Sequence, residues 1–216
     1  MKKGRVYMSY ISRSLAAAAL VASVAFGASA QDAADVDTSS IVEMQLGNAE
    51  APVTVIEYAS YTCPHCANFH ENGFKQLKED FIDEGRINFV YREVFFDRPG
   101  LWASIVARCG EGAENRFFGI TELLYEKQDD LRDSDPAVVV ENLKTIGRTA
   151  GLTDSDMDAC LQDADNAQTL YARFLQTTEA DGIRSTPTFV INGESVPNSG
   201  YDDLKAAIED ALADAE

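Results

Sequence analysis

The sequence predicts an α/β fold in which a block of helices interrupts a β-sheet. Three observations support this class. Two segments rich in β-branched and apolar residues flank a helical repeat within residues 52–96. The stretch that follows, residues 100–181, has helical periodicity and no strand pattern. A strand pattern returns at residues 187–193 and a last helix follows, so the order is β-α-β, then helices, then β-β-α.

The first half of this plan is one β-α-β unit. Residues 52–60, PVTVIEYAS, are nearly all apolar, which is typical of a central strand buried on both faces. Residues 64–81 are the predicted helix, because inward-facing side chains recur three and four positions apart. They are Cys66, His70, Phe74, Leu77 and Phe81. Residues 86–96 give the second strand, and the helix between the strands predicts that they run parallel.

The second half contains a helical block and a final hairpin. Helices are expected at residues 101–109, 115–128, 136–150, 154–162 and 166–181. Two of them have start signals, the DSDP sequence before Ala137 and the TDSD sequence at residues 153–156. The Asn-Gly pair at residues 192–193 predicts a hairpin turn, and residues 201–214 are expected to close the chain as a helix.

The amino-terminal segment has the pattern of an export signal. It begins with the basic residues Lys2, Lys3, Arg5 and Arg13. An apolar run follows at residues 15–26, and the small residues Ala28 and Ala30 predict cleavage before Gln31. Because this run is shorter than the ~20 residues that span a bilayer, a cleaved signal peptide at residues 1–30 is favoured over an uncleaved anchor. We therefore expect an exported protein in the bacterial periplasm, where disulfides persist.

The chain that remains after cleavage is strongly acidic. The signal holds four of the 18 Lys and Arg residues and none of the 36 Asp and Glu residues, which leaves 14 basic against 36 acidic residues and a formal charge of −22. This charge disfavours binding to nucleic acid or anionic membranes and predicts a solvated acidic surface. Residues 31–45 are expected to be a flexible leader, because residues 31–40 are small and polar.

The stretch YTCPHCANFH, residues 61–70, holds two of the four cysteines and both histidines. A zinc site with His70 as a third ligand is one alternative, but the sequence has no second CxxC and no HxxxH to complete it. A structural disulfide is another alternative, but closing so short a loop constrains the unfolded chain weakly. The favoured interpretation is a redox-active pair, Cys63 with Cys66, which needs no metal and no other cofactor.

The position of Cys63 at the predicted start of a helix favours this redox role. Unsatisfied N–H groups and the positive end of the helix dipole stabilise a thiolate, which is the nucleophilic form of cysteine. Pro64 suits the first helical turn, and His65 adds a hydrogen-bond donor or a positive charge beside the sulfur. A stabilised thiolate favours the reduced protein, so we expect an oxidising pair in which Cys63 attacks and a more buried Cys66 resolves.

Together, residues 51–70, the STPTFVING sequence at residues 185–193 and the helical block between them resemble the DsbA family of exported thiol–disulfide oxidoreductases. That family has a thioredoxin-like fold with an inserted all-helical domain. The resemblance implies a thioredoxin-like domain in two parts, residues 46–98 and 183–216, with the inserted helical domain at residues 99–182.

The resemblance also implies a function and partners. The Cys63–Cys66 disulfide would be donated to folding exported proteins with free cysteines, and a membrane reoxidase of the DsbB type would restore it. Pro187 matches the family's cis-proline, and the Thr186 backbone is expected to bind substrate as an added strand. The alternative for Pro187 is an ordinary trans proline in an edge strand. Isomerases and reductases of this fold share the threonine, whereas several strong oxidases carry valine.

Glu57 and His70 are harder to interpret. Glu57 lies in an otherwise apolar strand, six residues before Cys63, where members of this fold often carry a carboxylate. We expect it to accept the proton of Cys66, and the alternative is a partly exposed glutamate at a strand end. His70 either packs the helix against its neighbours, or tunes Cys66, or contacts a partner. Many DsbA relatives carry an acidic residue on this helical turn.

The other two cysteines, Cys109 and Cys160, lie 51 positions apart in the predicted helical block. In an oxidising compartment they are expected to form a structural disulfide with each other. Closing a loop of that length stabilises a protein by ~4 kcal/mol in the chain-entropy model. A redox-tuning role is the alternative, since some DsbA relatives carry a second cysteine pair in this domain.

Two other functions remain open on the sequence alone. A disulfide isomerase or reductase of the same fold would use the same cysteines, but known isomerases dimerise or trimerise through an extended amino-terminal segment. Only residues 31–50 lie between the signal and the core, so we expect a monomer and favour an oxidase. The second is a non-catalytic binding module or chaperone that uses the apolar surface around the CxxC.

Overall fold

The computed structural model describes residues 33, 35–197 and 200–215. The predicted signal peptide, residues 1–30, lies outside these residues. Within them, no helix combines the length and the apolar composition that crossing a bilayer requires.

In the described part of the chain, the centre of the fold is a five-stranded mixed sheet. Its strands are β1 (Met44–Gly47), β2 (Val53–Ala59), β3 (Ile87–Glu93), β4 (Thr188–Ile191) and β5 (Glu194–Pro197). The strand order is β1-β3-β2-β4-β5, which puts β2 in the middle. β2 and β3 run parallel, with Val55 opposite Phe89, whereas β4 is antiparallel to both β2 and β5. The predicted parallel pair and the predicted terminal hairpin are confirmed.

One helix connects the two parallel strands, and a run of helices separates β3 from β4. In chain order the helices are α1 (Pro64–Leu77), α2 (Arg98–Ala107), α3 (Ala113–Glu126), α4 (Pro136–Thr149), α5 (Asp154–Gln162), α6 (Ala164–Ala180) and α7 (Tyr201–Asp214). A π-helical turn, Lys78–Ile82, follows α1, and a 3-10 turn, Gln128–Leu131, follows α3. Helices α2 to α6 occupy the segment for which the sequence predicts helices and no strand.

A continuous apolar core joins the sheet to the helices. Phe89 and Tyr91 of β3 are fully buried, and Phe117 and Leu124 of α3 belong to the same buried cluster. The ring centroids of Tyr91 and Phe117 are 5.6 Å apart. Helix α7 packs against α1 and β2. The helical block therefore shares one core with the sheet and holds a fixed position on it.

Short polar side chains set the starts of the helices in the block. Asp135 accepts a hydrogen bond from the N–H of Ala137 at the start of α4, and Thr153 and Asp156 form a reciprocal capping box at α5. Both starts agree with the sequence prediction. Helix α2 begins earlier than the predicted residue 101, because Asp97 accepts a hydrogen bond from a first-turn N–H and caps it there.

The segment predicted as a flexible leader, residues 31–45, makes tertiary contacts and begins a strand in its described part. Thr38 is 6% exposed and donates its hydroxyl hydrogen to the side-chain oxygen of Gln176 on α6, at 2.9 Å. The side-chain nitrogen of Gln176 donates in turn to the carbonyl of Val36, at 3.0 Å. Met44 then begins β1, which pairs antiparallel with β3. The composition of this segment does not reveal these contacts, because each depends on a distant element.

Cys109 and Cys160 are joined by a disulfide bond that links the end of α2 to α5. Their Cα atoms are 5.9 Å apart, and the two residues are 51 positions apart in sequence. Cys109 is 2% exposed, so the bond lies against the core of the helical block. Helices α3 and α4 lie inside the closed loop, and we expect the bond to restrict the unfolded states of this whole segment.

Replacing both residues, C109S/C160S, is expected to lower the free energy of unfolding by about 4 kcal/mol, because the bond closes a long loop in the unfolded chain. Urea unfolding in a C63S/C66S background measures the loss without a contribution from the other cysteine pair. The variant Cys160→Ser breaks the same bond alone and should lose a similar amount. An unchanged unfolding midpoint in the double variant would contradict a structural role for the bond.

Candidate active site

Cys63 lies where strand β2 gives way to helix α1. The chain turns here, with the N–H of Cys63 donating to the carbonyl of Ser60 at 3.1 Å. Cys63 is the N-cap residue of α1, and Pro64 is the first residue of the helix. The first N–H groups of a helix have no partner within it, so the Cys63 sulfur lies at the positive end of the helix dipole. Cys63 and Cys66 are both free thiols in this structure.

The two sulfurs have unlike surroundings. Cys63 is 8% exposed, whereas Cys66 has no exposed surface. The hydrogen bond from the Cys66 thiol lowers the pKa of Cys63 to about 5, and this outweighs the opposing effect of burial. Thr186 and the N–H groups of Cys66 and His65 lower the pKa of Cys63 further. Burial raises the pKa of Cys66 far above its ordinary value, and the Cys63 sulfur and the Glu57 charge add to the increase.

The two residues between the cysteines, Pro64 and His65, have exposed side chains. His65 lowers the pKa of Cys63 through its backbone N–H in this structure. The effect that the sequence predicts for its imidazole stays a prediction. Both side chains belong to the surface that surrounds the Cys63 sulfur.

The second segment of the site is the turn before β4. The Thr186–Pro187 peptide bond is cis. The carbonyl oxygen of Thr186 lies 3.5 Å from the Cys63 sulfur, although the two residues are 123 positions apart. Strand β4 pairs with β2, with Thr188 opposite Tyr58, and this pairing holds the turn beside the start of α1. The structure therefore brings the two sequence motifs, CPHC and STPTF, into one site.

Glu57 and His70 form a buried pair near the dithiol. Nε2 of His70 lies 3.2 and 3.0 Å from the two carboxylate oxygens of Glu57. Glu57 has no exposed surface and is paired with Tyr91 and Phe189 inside the sheet. The alternative of a partly exposed glutamate at a strand end is therefore wrong. The sequence leaves the role of His70 open, and in the structure its polar partner is the Glu57 carboxylate.

A zinc site would need His70 beside both cysteines. Nε2 of His70 is instead within hydrogen-bond distance of Glu57. Among the residues that the structure describes, no group of three or more His, Cys, Asp and Glu side chains has the arrangement of a metal site.

Side chains from the helical block hold the loop that carries Cys63. Gln128 is buried, and its side-chain nitrogen donates to the carbonyl oxygens of Tyr61 and Cys63, each at 2.9 Å. The hydroxyls of Tyr61 and Thr121, a residue of α3, are hydrogen-bonded at 2.8 Å. Sequence reasoning missed Gln128. Nothing in its local sequence marks it, since its two partners are 65 and 67 positions away.

The sequence matches a protein-family model and several proteins named for disulfide chemistry. Residues 39–210 match the family model described as Thioredoxin. Disulfide bond formation protein D of Bacillus subtilis is 30% identical, over 77% of this chain and 76% of its own length. A provisionally named protein-disulfide oxidoreductase of Rickettsia bellii is 35% identical over 81% of this chain. The chain spans just under two thirds of the length of that relative, 66%.

Solved structures share the architecture. Alpha-DsbA1 of Wolbachia pipientis matches with a TM-score of 0.73 and 25% identity, over 80% of this chain and 92% of that one. Oxidised BdbD of Bacillus subtilis matches with a TM-score of 0.65 and 27% identity, over 79% of this chain and 93% of that one. Together with the thioredoxin model, these matches confirm the predicted thioredoxin-like α/β fold and the resemblance to DsbA.

Reduced protein is expected to gain stability relative to oxidised protein as the pH rises from about 5 to about 9. The pKa of Cys63 is about 5 in the folded state, and the ordinary value of 9.0 applies to the unfolded chain. Between these two pH values the unfolded chain binds a proton that the folded chain does not. This stabilisation is lost as the pH falls through the lower value. Urea unfolding across the range measures it, with the oxidised protein as the control. A difference that does not change with pH would contradict a stabilised thiolate.

Gln128→Ala is expected to lower the free energy of unfolding by about 1–3 kcal/mol, because it removes a donor to the Tyr61 carbonyl and leaves space in a buried site. The matched control is Gln76→Ala, which removes an exposed side chain that bonds to Asn72 of its own helix. The control should change stability by less than about 0.5 kcal/mol. Thermal unfolding compares the two variants, and equal losses would show that Gln128 does not hold the loop.

Proposed function

The chain belongs to the DsbA-type thiol–disulfide oxidoreductases of the thioredoxin family, and we propose that it works as an oxidase in the periplasm. In this role it donates the Cys63–Cys66 disulfide to exported proteins as they fold. The observation that carries the proposal is the contrast between the two sulfurs, since the pKa of Cys63 is lowered to about 5 and that of Cys66 is raised. A stabilised thiolate favours the reduced protein and makes its disulfide an oxidant.

The reaction begins when a substrate thiolate attacks the Cys63 sulfur of the oxidised protein. The Cys63–Cys66 bond breaks, the substrate joins Cys63 in a mixed disulfide, and the Cys66 sulfur leaves with the electron pair and takes up a proton. Attack at Cys63 is favoured, because it is the sulfur with exposed surface. A second substrate thiolate then attacks the first substrate sulfur. Cys63 leaves as a thiolate, and its lowered pKa makes it a good leaving group.

Glu57 exchanges the proton of Cys66 in this scheme. Its carboxylate is close enough for its charge to raise the pKa of Cys66, and it is shielded from water. A buried thiolate is costly, so the Cys66 sulfur needs a proton when it leaves and must lose that proton before it attacks. A carboxyl group beside it can serve both steps.

The turn at Thr186 and Pro187 holds the substrate chain. The cis peptide bond presents the Thr186 backbone beside Cys63, with 3.5 Å between the carbonyl oxygen and the sulfur. An extended substrate segment can pair with this backbone as an added strand, which aligns the substrate cysteine with Cys63. The exposed side chains of Pro64 and His65 border the same sulfur, and a protonated His65 adds to the stability of its thiolate.

The compartment and the partners follow from the same chemistry. The Cys109–Cys160 disulfide fits an oxidising compartment, and residues 1–30 have the pattern of an export signal. Each turnover leaves Cys63 and Cys66 reduced, so a membrane reoxidase of the DsbB type is the proposed electron acceptor. In this proposal the reaction needs no cofactor, because electrons pass between sulfur atoms alone. The protein is proposed to act as a monomer.

An isomerase or reductase activity at the same site is the second candidate. Thr186 favours it, since isomerases and reductases of this fold share a threonine before the cis-proline and several strong oxidases carry valine. Either activity begins from the reduced protein, in which the Cys63 thiolate attacks a disulfide of the substrate.

The reduction potential of the Cys63–Cys66 pair separates the two candidates. Strong oxidases of this chemistry have potentials of about −120 mV and reductases about −270 mV. We expect a value closer to the first, because the pKa of the Cys63 thiol is strongly lowered. Equilibration of the C109S/C160S variant with glutathione buffers measures the potential of this pair alone, and wild-type protein serves as the comparison. A value close to that of the reductases would overturn the oxidase proposal.

A further inference from the structure

His70 lies between the buried Glu57 carboxylate and a cavity at the protein surface. Nε2 of His70 is 3.0 Å from Glu57 Oε2, and Glu57 itself has no exposed surface. The cavity has a volume of about 600 Å³ and lies between α1 and α3. His70 is one of the residues that line it, together with Phe74 and Tyr125.

Exposed charged side chains border this cavity, so it opens to water. They are Glu71, Lys75 and Lys78 from α1 and the turn after it, and Glu122 and Glu126 from α3. The lining also includes the aromatic residues Phe74, Phe118 and Tyr125, and the ring of Phe74 stacks on the imidazole with 4.7 Å between centroids. A proton that enters the cavity therefore meets His70 before it meets Glu57.

The groups that face His70 leave Glu57 as its proton partner. The imidazole stacks on Tyr125 of α3, with 4.2 Å between ring centroids, and meets the edge of Tyr91 of β3 at 5.9 Å. Burial raises the pKa of both phenols well above the ordinary range, so both keep their protons at neutral pH. On its own helix, Cys66 lies one turn before His70. The charged residues of the cavity border are exposed to solvent.

We propose that His70 is a proton relay that carries protons between the cavity and Glu57, and through Glu57 to Cys66. The proposal depends on the thiol–disulfide exchange proposed above for this site. The hydrogen bonds described for His70 go to Glu57 and not to a sulfur, so it is a positioning residue that sets the protonation state of the carboxyl group. An imidazole suits this task, because one ring nitrogen accepts a proton while the other donates one.

Each disulfide exchange moves one proton along this path. When the Cys63–Cys66 bond breaks, the Cys66 sulfur leaves with the electron pair and takes the proton that Glu57 and His70 share. His70 then takes up a proton from water in the cavity, which restores the pair. During reoxidation, Cys66 returns its proton to Glu57 and His70 passes one to the cavity. The Cys66 thiolate then attacks Cys63 in the mixed disulfide with the partner and expels the partner's thiolate.

The test is the rate at which dithiothreitol reduces the Cys63–Cys66 bond, followed by alkylation of the freed thiols. His70→Ala should slow the reaction at neutral pH about 100-fold, because the proton donor to Glu57 is lost. Added imidazole should restore most of the rate, since the deletion leaves a space continuous with the cavity. His70→Phe keeps an aromatic ring but fills that space and carries no proton, so it should be slow with or without imidazole.

The pH dependence of the reduction rate, together with the variant Glu57→Gln, separates a relay role of His70 from a packing role. After correction for the ionisation of dithiothreitol, the rate of His70→Ala should vary less with pH than that of the wild type, and imidazole should restore the variation. Glu57→Gln should be slow and insensitive to imidazole, because the group that receives the proton is gone. A folded His70→Ala protein that imidazole does not accelerate, or a Glu57→Gln protein with the wild-type rate, would overturn the relay.

Two further measurements keep the proposal testable. If His70→Ala does not fold, His70→Gln retains a hydrogen bond to Glu57 but cannot pass a proton. Slow exchange in that variant supports the relay, and wild-type exchange overturns it. The reduction potential decides the oxidase proposal separately. Rescue by imidazole in a protein with the potential of a reductase would keep the relay and reject the oxidase, whereas an oxidising potential without rescue would reject the relay alone.

Discussion

The Cys66 thiol and the N–H groups at the start of α1 lower the pKa of the Cys63 thiol to about 5, and the rest of the site is arranged around that sulfur. Strand β2 ends at Ala59 and α1 begins at Pro64, so the N–H groups of the first helical turn lie at the Cys63 sulfur. The Cys66 thiol, one turn later, has no exposed surface and donates to the same sulfur. Because the pKa of one thiol is lowered and burial raises the pKa of the other, the two sulfurs are chemically unequal, and the order of attack and release proposed above depends on this difference.

The helical block gives this arrangement its rigidity. Gln128 holds the carbonyls of Tyr61 and Cys63 from the far side of the loop, and the hydroxyls of Thr121 and Tyr61 are hydrogen-bonded to each other. These contacts fix the loop against a buried core that the block and the sheet share. The Cys109–Cys160 bond ties α2 to α5 within the same block. The insert is thus part of the site's support, since a loop that moved freely would not keep the sulfur at the end of the helix dipole.

Local patterns predicted the parts of the fold that depend on local physics. Periodicity gave β2, α1 and the helices of the block, and cap residues such as Asp135 gave their starts, because these signals act within a few residues. The contacts of Thr38 with Gln176 and of Gln128 with the active-site loop were missed, because they form between elements that only the tertiary fold brings together. The pairing of Glu57 with His70 has the same origin. The sequence marked both residues as unusual, but it could not show that they face each other.

Burying Glu57 and His70 together requires free energy for their removal from water, and this bears on what the pair does. Removing an acid and a base from water is unfavourable, and apolar side chains of similar volume often stabilise a core as well or better. The Glu57–His70 pair has almost no exposed surface, so a contribution to stability does not by itself explain it. Its position supplies another reason. The burial that keeps Cys66 neutral also cuts its sulfur off from water, so a proton must reach it through the protein. Glu57 lies near that sulfur, and His70 extends from Glu57 to an open cavity. In the proposed oxidase, the asymmetry of the cysteine pair thus creates the need for a proton path, and the proposed relay through Glu57 and His70 supplies one.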